Sequence, residues 1–370
     1  MRGTVSLNSL FYFSIFFLLF TPSIGIVYTF TGFHISNERL GFFILCLNAF
    51  FIKRIPLKID FFFYFSIFLT LIFLFGVFFR SQYSLGSQDI AYLLFPFQIY
   101  FYLLVASRER SEFIKMLSLF VKLSIILFWI QLIFKAIIPE LIIEDFFINN
   151  PIQNEYRYPR FNEYLYRVSG TFNESSQIGI LFAASLFFVK EYYLKIILIF
   201  SVIFTLSSTA LAMLIFYLLH FFFKNFSFSK FYLFAVLLTI FSFVAFPSIF
   251  SSFEYKFLST ISFDEPRIIY LFDNFNRSLD SPLLGIGADL QDSNRWDFFS
   301  VYFLSFGYII GFFYLLYLLY IFKGYPIIFI SPVLFTNASI TNPVIIILVL
   351  IGVLSFSNDM RFSNSRKSSI

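Results

Sequence analysis

Charge is scarce in this sequence. Charged residues make up 13% of the 370 residues, about half the usual share of a soluble domain. Hydrophobic residues reach 59%, and mean hydropathy is +0.84. One globular core cannot enclose that much apolar surface, so much of it must face lipid. Cysteine is reduced to one residue, Cys46, inside an apolar run. This excludes a disulfide framework and a thiolate metal site. The two histidines, His34 and His220, lie far apart, which argues against a histidine metal centre. No metal or other cofactor is expected. The net charge of +5 comes from scattered basic residues, not from a block, so nucleic acid is not an expected partner. Phenylalanine, by contrast, is abundant at 64 residues and reads as a lipid-compatible filler.

A membrane-spanning helix needs about 20 mostly apolar residues, down to roughly 17. Six runs qualify clearly: Ser9–Phe30, Ile59–Phe79, Ile90–Ala106, Phe113–Ile138, Phe231–Phe250 and Phe299–Phe322. Six are weaker or shorter: Leu40–Ile52, Ile178–Val189, Leu194–Leu206, Ala210–Phe223, Pro326–Phe335 and Pro343–Phe356. The short runs must borrow flanking residues, tilt little or lie broken inside a bundle. Arg2 and the apolar run Leu10–Phe20 resemble a signal peptide. No small-residue cleavage site follows, so the first run reads as an anchor that stays.

Basic residues orient the spans. With about twelve spans and the N-terminus inside, inner segments hold Arg2; Lys53, Arg54 and Lys58; Arg108, Arg110 and Lys115; Lys190 and Lys195; Lys224 and Lys230; Lys323; and Arg361, Arg366 and Lys367. The short outer loops hold only Arg39 and Arg80. That asymmetry is the positive-inside pattern. The expected fold is all-α: a polytopic integral membrane protein of about 12 transmembrane helices, with both termini cytoplasmic and two large external loops. The divisions are 1–138, N-terminal membrane helices; 139–174, first external loop; 175–250, central helices; 251–298, second external loop; 299–357, C-terminal helices; and 358–370, a cytoplasmic tail.

Both hydrophilic loops are acidic overall yet carry arginines, and long loops commonly carry function. The first ends in Arg167-Val-Ser-Gly170-Thr-Phe-Asn-Glu174 and opens a membrane helix. Thr171 and Glu174 have capping-box spacing. The free N–H groups of a helix start also suit an anion, and the Arg167 guanidinium pairs well with phosphate oxygens. In the second loop, Asp264-Glu265-Pro266 resembles a helix start. Ile268, Leu271, Phe272, Phe275 and Leu279 then recur at helical spacing, with Asp273, Asn274 and Arg277 opposite. This pattern predicts an amphipathic helix on the outer membrane surface. Asp273 and Arg277 also have the spacing of a plain surface ion pair. Ser281-Pro282-Leu-Leu-Gly285-Ile-Gly287 follows, then Asp289, Asp292, Arg295 and Trp296. Carboxylates beside an aromatic ring suit a sugar, and equally an ordinary interfacial loop. Thr205-Leu-Ser207-Ser208-Thr209 joins two short runs, where small hydroxyl residues favour close helix packing. Lys122 and Lys135 lie inside one span and can snorkel.

These residues resemble the O-antigen polymerase and O-antigen ligase superfamily of bacterial envelope enzymes. The resemblance rests on Arg167, Gly170, Phe172 and Glu174 entering a helix; on the Thr-x-Ser segment; on Pro282–Gly287; and on Phe306-Gly307-x-x-x-Gly311. Three departures stand out. Ser175 replaces a frequent proline, Ser208 replaces a frequent arginine, and the ligase histidine is absent between Ser251 and Phe298. The last favours polymerase over ligase. The resemblance implies a metal-independent, inverting glycosyltransferase of the bacterial cytoplasmic membrane. Its substrates would be undecaprenyl-diphosphate-linked oligosaccharides, and a chain-length regulator is an implied partner. Arg167, Arg267, Arg277 and Arg295 would bind the diphosphate. Glu174, Asp273, Asp289 and Asp292 are the candidates for the base. A flippase for lipid-linked oligosaccharide is the alternative from another class.

Overall fold

A computed structural model describes residues 37–47, 50–51, 55, 57, 59–79, 87–108, 110–137, 175–205, 207–224, 273–279, 282–283, 285, 302–322, 329–330, 332 and 344–356. Among these residues every regular element is helical. The longer helices are α1 (Asn37–Leu47), α2 (Phe61–Phe79), α3 (Ser87–Arg108), α4 (Arg110–Ile137), α5 (Ser175–Phe188), α6 (Tyr192–Phe204), α7 (Ser208–Lys224), α8 (Leu304–Ile321) and α9 (Val344–Phe356). A short helical segment covers 273–278. The apolar runs thus become helices within a few residues of their hydropathy limits. The expected spans Ser9–Phe30 and Phe231–Phe250, and most of Pro326–Phe335, lie outside the described residues.

Local chemistry sets several ends. Asp60 caps α2: its Oδ1 accepts from the Phe63 N–H at 3.0 Å, which satisfies a donor that a helix start leaves open. Ser207 does the same for α7 through the Ala210 N–H at 3.4 Å. Arg110 donates to the carbonyl of Leu354 at 2.8 Å, a cation at the C-terminal end of α9, where the helix dipole favours one.

Pairs of residues reveal the directions of the helices. Phe61 meets Tyr320, Phe65 meets Tyr317, Phe68 meets Phe313 and Phe73 meets Phe306. One number rises as the other falls, so α2 and α8 are antiparallel. Lys122 lies 3.6 Å from Glu191, and Trp129 Nε1 donates to Ser201 Oγ at 2.9 Å. Both numbers rise together, so α4 and α6 are parallel. Gly179 touches Ala210, and Phe187 packs on Tyr217, so α5 and α7 are parallel too. The C-terminal ends of α4 and α6 therefore share one face with the N-terminal ends of α5 and α7. The chain leaves α4 and re-enters at α5 on that same face.

The outer surfaces of these helices are apolar. On α2, Phe61, Tyr64, Phe68, Leu71, Phe75 and Phe78 are exposed, while Phe62, Leu69 and Phe73 are buried. On α8, Ile309, Phe312, Leu316 and Leu319 form a similar stripe. Spacings of three and four make these continuous helix faces. In water, such stripes would drive association. Phe113–Phe134 and Leu304–Ile321 are each long and apolar enough to cross a membrane. By contrast, α5 and α9 are buried on almost every side, which is what a uniformly apolar helix requires at the centre of a bundle.

Candidate functional site

The face that carries the start of α8 contains the most informative geometry. Inside α8, Gly307 has φ 83° and ψ 169°. That conformation interrupts the helix, and glycine adopts it without a Cβ penalty. The interruption releases the next N–H from the helix ladder. Tyr308 N donates instead to the carbonyl of Pro282, at 2.7 Å. The Tyr308 hydroxyl shares a second hydrogen bond with Ser278 Oγ, at 2.8 Å. Gly285, at φ +68°, lies against bare backbone: a Cβ there would stand 2.5 Å from Phe306 N and from Ser305 C and O. The Pro-Leu-Leu-Gly turn and the Phe-Gly segment are therefore two halves of one joint.

The joint seats the 273–278 helix. Asn274 and Ser278 are buried, whereas Asp273, Phe275, Asn276, Arg277 and Leu279 are exposed. Phe275 and Leu279, from the expected apolar face, are exposed, and Ile268, Leu271 and Phe272 lie outside the described residues. Asn274, assigned from the sequence to the polar outer face, is instead buried. Asp273 and Arg277 are the two sequence-selected site residues that the described structure contains, and both are open at the surface. Glu174, Asp289, Asp292, Arg167, Arg267 and Arg295 lie outside the described residues, as does the Thr171–Glu174 capping box.

Around the start of α5 the packing is close. A Cβ on Gly179 would stand 2.7 Å from Ala210 Cβ and 2.8 Å from Thr205 Oγ1. Thr205 and Ser207 are buried, and Thr205 Oγ1 donates to the Val202 carbonyl at 2.6 Å. The small hydroxyl residues serve helix packing and capping. Two residues before Gly179, Gln177 is buried, and its Oε1 has no hydrogen-bond partner among the described residues. It sits three residues after Glu174, in the first turn of α5, and no spacing rule singled it out.

Sequence reasoning also missed an aromatic and hydroxyl column between α2, α3 and α8. Tyr302 stacks on Tyr314 with centroids 4.2 Å apart. Tyr317 donates to the carbonyl of Pro96 at 2.7 Å, and its oxygen lies 3.2 Å from Ser66 Oγ. All three tyrosines are fully buried. Their only sequence signal is the recurrence of tyrosine in α8, which an aromatic-rich chain hides.

Midway along α4, Lys122 faces Glu191 at 3.6 Å, each about 41% exposed. A hydrogen bond to its own backbone, and then Lys122, hold the Glu191 carboxyl below the usual glutamate range. Lys195 lies over the Tyr217 ring at 5.8 Å. Among the described residues no cluster of histidine, cysteine, aspartate and glutamate has the makings of a metal site. Comparison with protein-family models, characterised proteins and solved structures finds no match for this chain.

Proposed function

We propose that this chain is a multi-pass enzyme of a bacterial cytoplasmic membrane that polymerises lipid-linked oligosaccharide repeat units at the outer face, as an O-antigen polymerase does. The observation that carries the reading is the joint between Pro282–Gly285 and Ser305–Tyr308. It joins two of the segments that carry the resemblance into one structural unit. It also holds the helix bearing Asp273 and Arg277 at the end of a span-length apolar helix. A surface so placed suits a substrate with a lipid tail in the bilayer and a glycan outside it.

The reaction needs three things: a neutralised diphosphate, a deprotonated hydroxyl, and two lipids held in line. A hydroxyl oxygen of one lipid-linked repeat attacks the anomeric carbon of the growing chain. The new carbon–oxygen bond forms as the bond to the diphosphate breaks, with inversion. The lipid diphosphate leaves with the electron pair, and the hydroxyl proton passes to a carboxylate. Arg167, Arg267, Arg277 and Arg295 are proposed to balance the diphosphate. Glu174, Asp273, Asp289 or Asp292 is proposed as the base. Gln177, three positions after Glu174 in sequence, is proposed to accept from a sugar hydroxyl through its Oε1, which has no partner among the described residues.

Deleting the gene tests this reading. Single repeat units should then accumulate on the carrier lipid and on its products. Long chains left unattached to their final acceptor would indicate the ligase activity. Loss of all outward-facing glycan, with intact repeats held inside, would indicate a flippase.

A further inference from the structure

The joint at the start of α8 converges on one residue. Tyr308 makes two polar contacts across it: its N–H to the Pro282 carbonyl and its hydroxyl with Ser278 Oγ. Both contacts depend on glycines. Gly307 turns the Tyr308 N–H out of the helix ladder, and Gly285 lets the turn approach the Ser305–Phe306 backbone. The Tyr308 ring also packs edge-on against Phe303, at 5.6 Å, which limits where its hydroxyl can point. Ser278 closes the helix that carries Asp273 and Arg277, so a bond at Ser278 sets the position of that helix.

We infer that Tyr308 is the positioning residue that seats the 273–278 helix against the start of α8 and so holds Asp273 and Arg277 over the reacting lipid diphosphate. The inference rests on the polymerase reading for what is positioned; the seat itself stands on geometry alone. Tyr308 touches no substrate in this scheme. It acts through Ser278 and Pro282.

The test uses full-length protein in liposomes, with Cys46→Ser and spin labels at Asn276→Cys and Phe78→Cys, two exposed positions on the loop helix and on α2. The substrate is the carrier-linked repeat unit extracted from the deletion strain. Tyr308→Phe and Ser278→Ala each remove the hydroxyl bond. Each should broaden the label-to-label distance distribution and lower kcat at least fivefold, with KM changed less than twofold. Their combination should be no worse than Ser278→Ala alone, which loses the shared bond and also the Ser278 bond to the Phe275 carbonyl. Ser278→Thr, which keeps a hydroxyl, should recover most of the activity. A distance distribution unchanged in both single variants overturns the seat. A broadened distribution with full kcat overturns the positioning role. If the unsubstituted protein does not turn over the extracted lipid, the polymerase reading fails, and the distance measurement still decides the seat.

Discussion

Gly285→Ala should unlock the outer joint while leaving the bundle intact. The cost has two sources. Alanine at φ +68° is strained by about 1–2 kcal/mol. Its Cβ would also meet backbone at 2.5 Å, and the backbone of α8 has no rotamer to yield. The turn must then lift away from the helix. Lifting loses the Tyr308–Pro282 and Ser278–Tyr308 hydrogen bonds, each worth about 1 kcal/mol net. The sum is about 3 kcal/mol, or more than 100-fold in the opening equilibrium, since about 1.4 kcal/mol is a factor of ten. Trypsin cleavage after Arg277 in detergent reports that opening, because cleavage tracks the open population when closing is fast. Gly76→Ala is the matched control. Its Cβ would meet only the tip of Ile310, at 2.6 Å, and that side chain can rotate. Alanine also gains up to about 1 kcal/mol of helix propensity there. Cleavage of Gly285→Ala should therefore accelerate by two orders of magnitude, while Gly76→Ala stays near the unsubstituted rate. A Gly285→Ala rate within threefold of the unsubstituted protein would show that the turn is not held against α8.

Four further outcomes follow from the same physical picture. Arg167→Ala should abolish polymer in cells while the protein still accumulates in the membrane; unchanged chain length would remove Arg167 from the site. Cysteine at Asn162 or Ser293 should react with an impermeant reagent only from outside, and labelling from the cytoplasm would refute the orientation. Gly179→Ala should push α5 from α7, at the usual overpacking cost of about 1–3 kcal/mol, and lower the melting temperature of the solubilised protein; an unchanged melt would contradict the contact with Ala210 and Thr205. Glu191→Gln should cost less than about 1 kcal/mol, since an exposed pair is weak. The folded carboxyl titrates below its unfolded value of about 4.3, so its contribution is present above that value and lost as pH falls through the lower one. The melting difference between Gln and Glu proteins should therefore be present at pH 7 and shrink as pH falls below about 4; a difference that stays constant into acid would contradict the assignment.

Much of the helical architecture was legible in the sequence, because span length and hydropathy are local properties. The caps were not: Asp60 and Ser207 mark helix starts that only the structure revealed. The candidate site was legible only as a set of motifs. Pro282–Gly287 and Phe306–Gly311 stood out for their glycines, yet nothing in either pointed to the other. Gly285 and Phe306 meet across 21 positions of chain, and a contact of that kind has no periodicity. The aromatic residues were harder still. Phe61 faces outward and Phe62 inward, but lipid and protein core are both apolar, so the sequence carries no contrast between them. By itself the sequence determined an apolar chain and, among the described residues, where the helices run, because twenty apolar residues behave alike in any such bundle. Only the tertiary structure decided which faces pack inward, that Asn274 is buried, and that Tyr308 joins a loop to a helix, because those outcomes depend on what arrives from elsewhere in the chain.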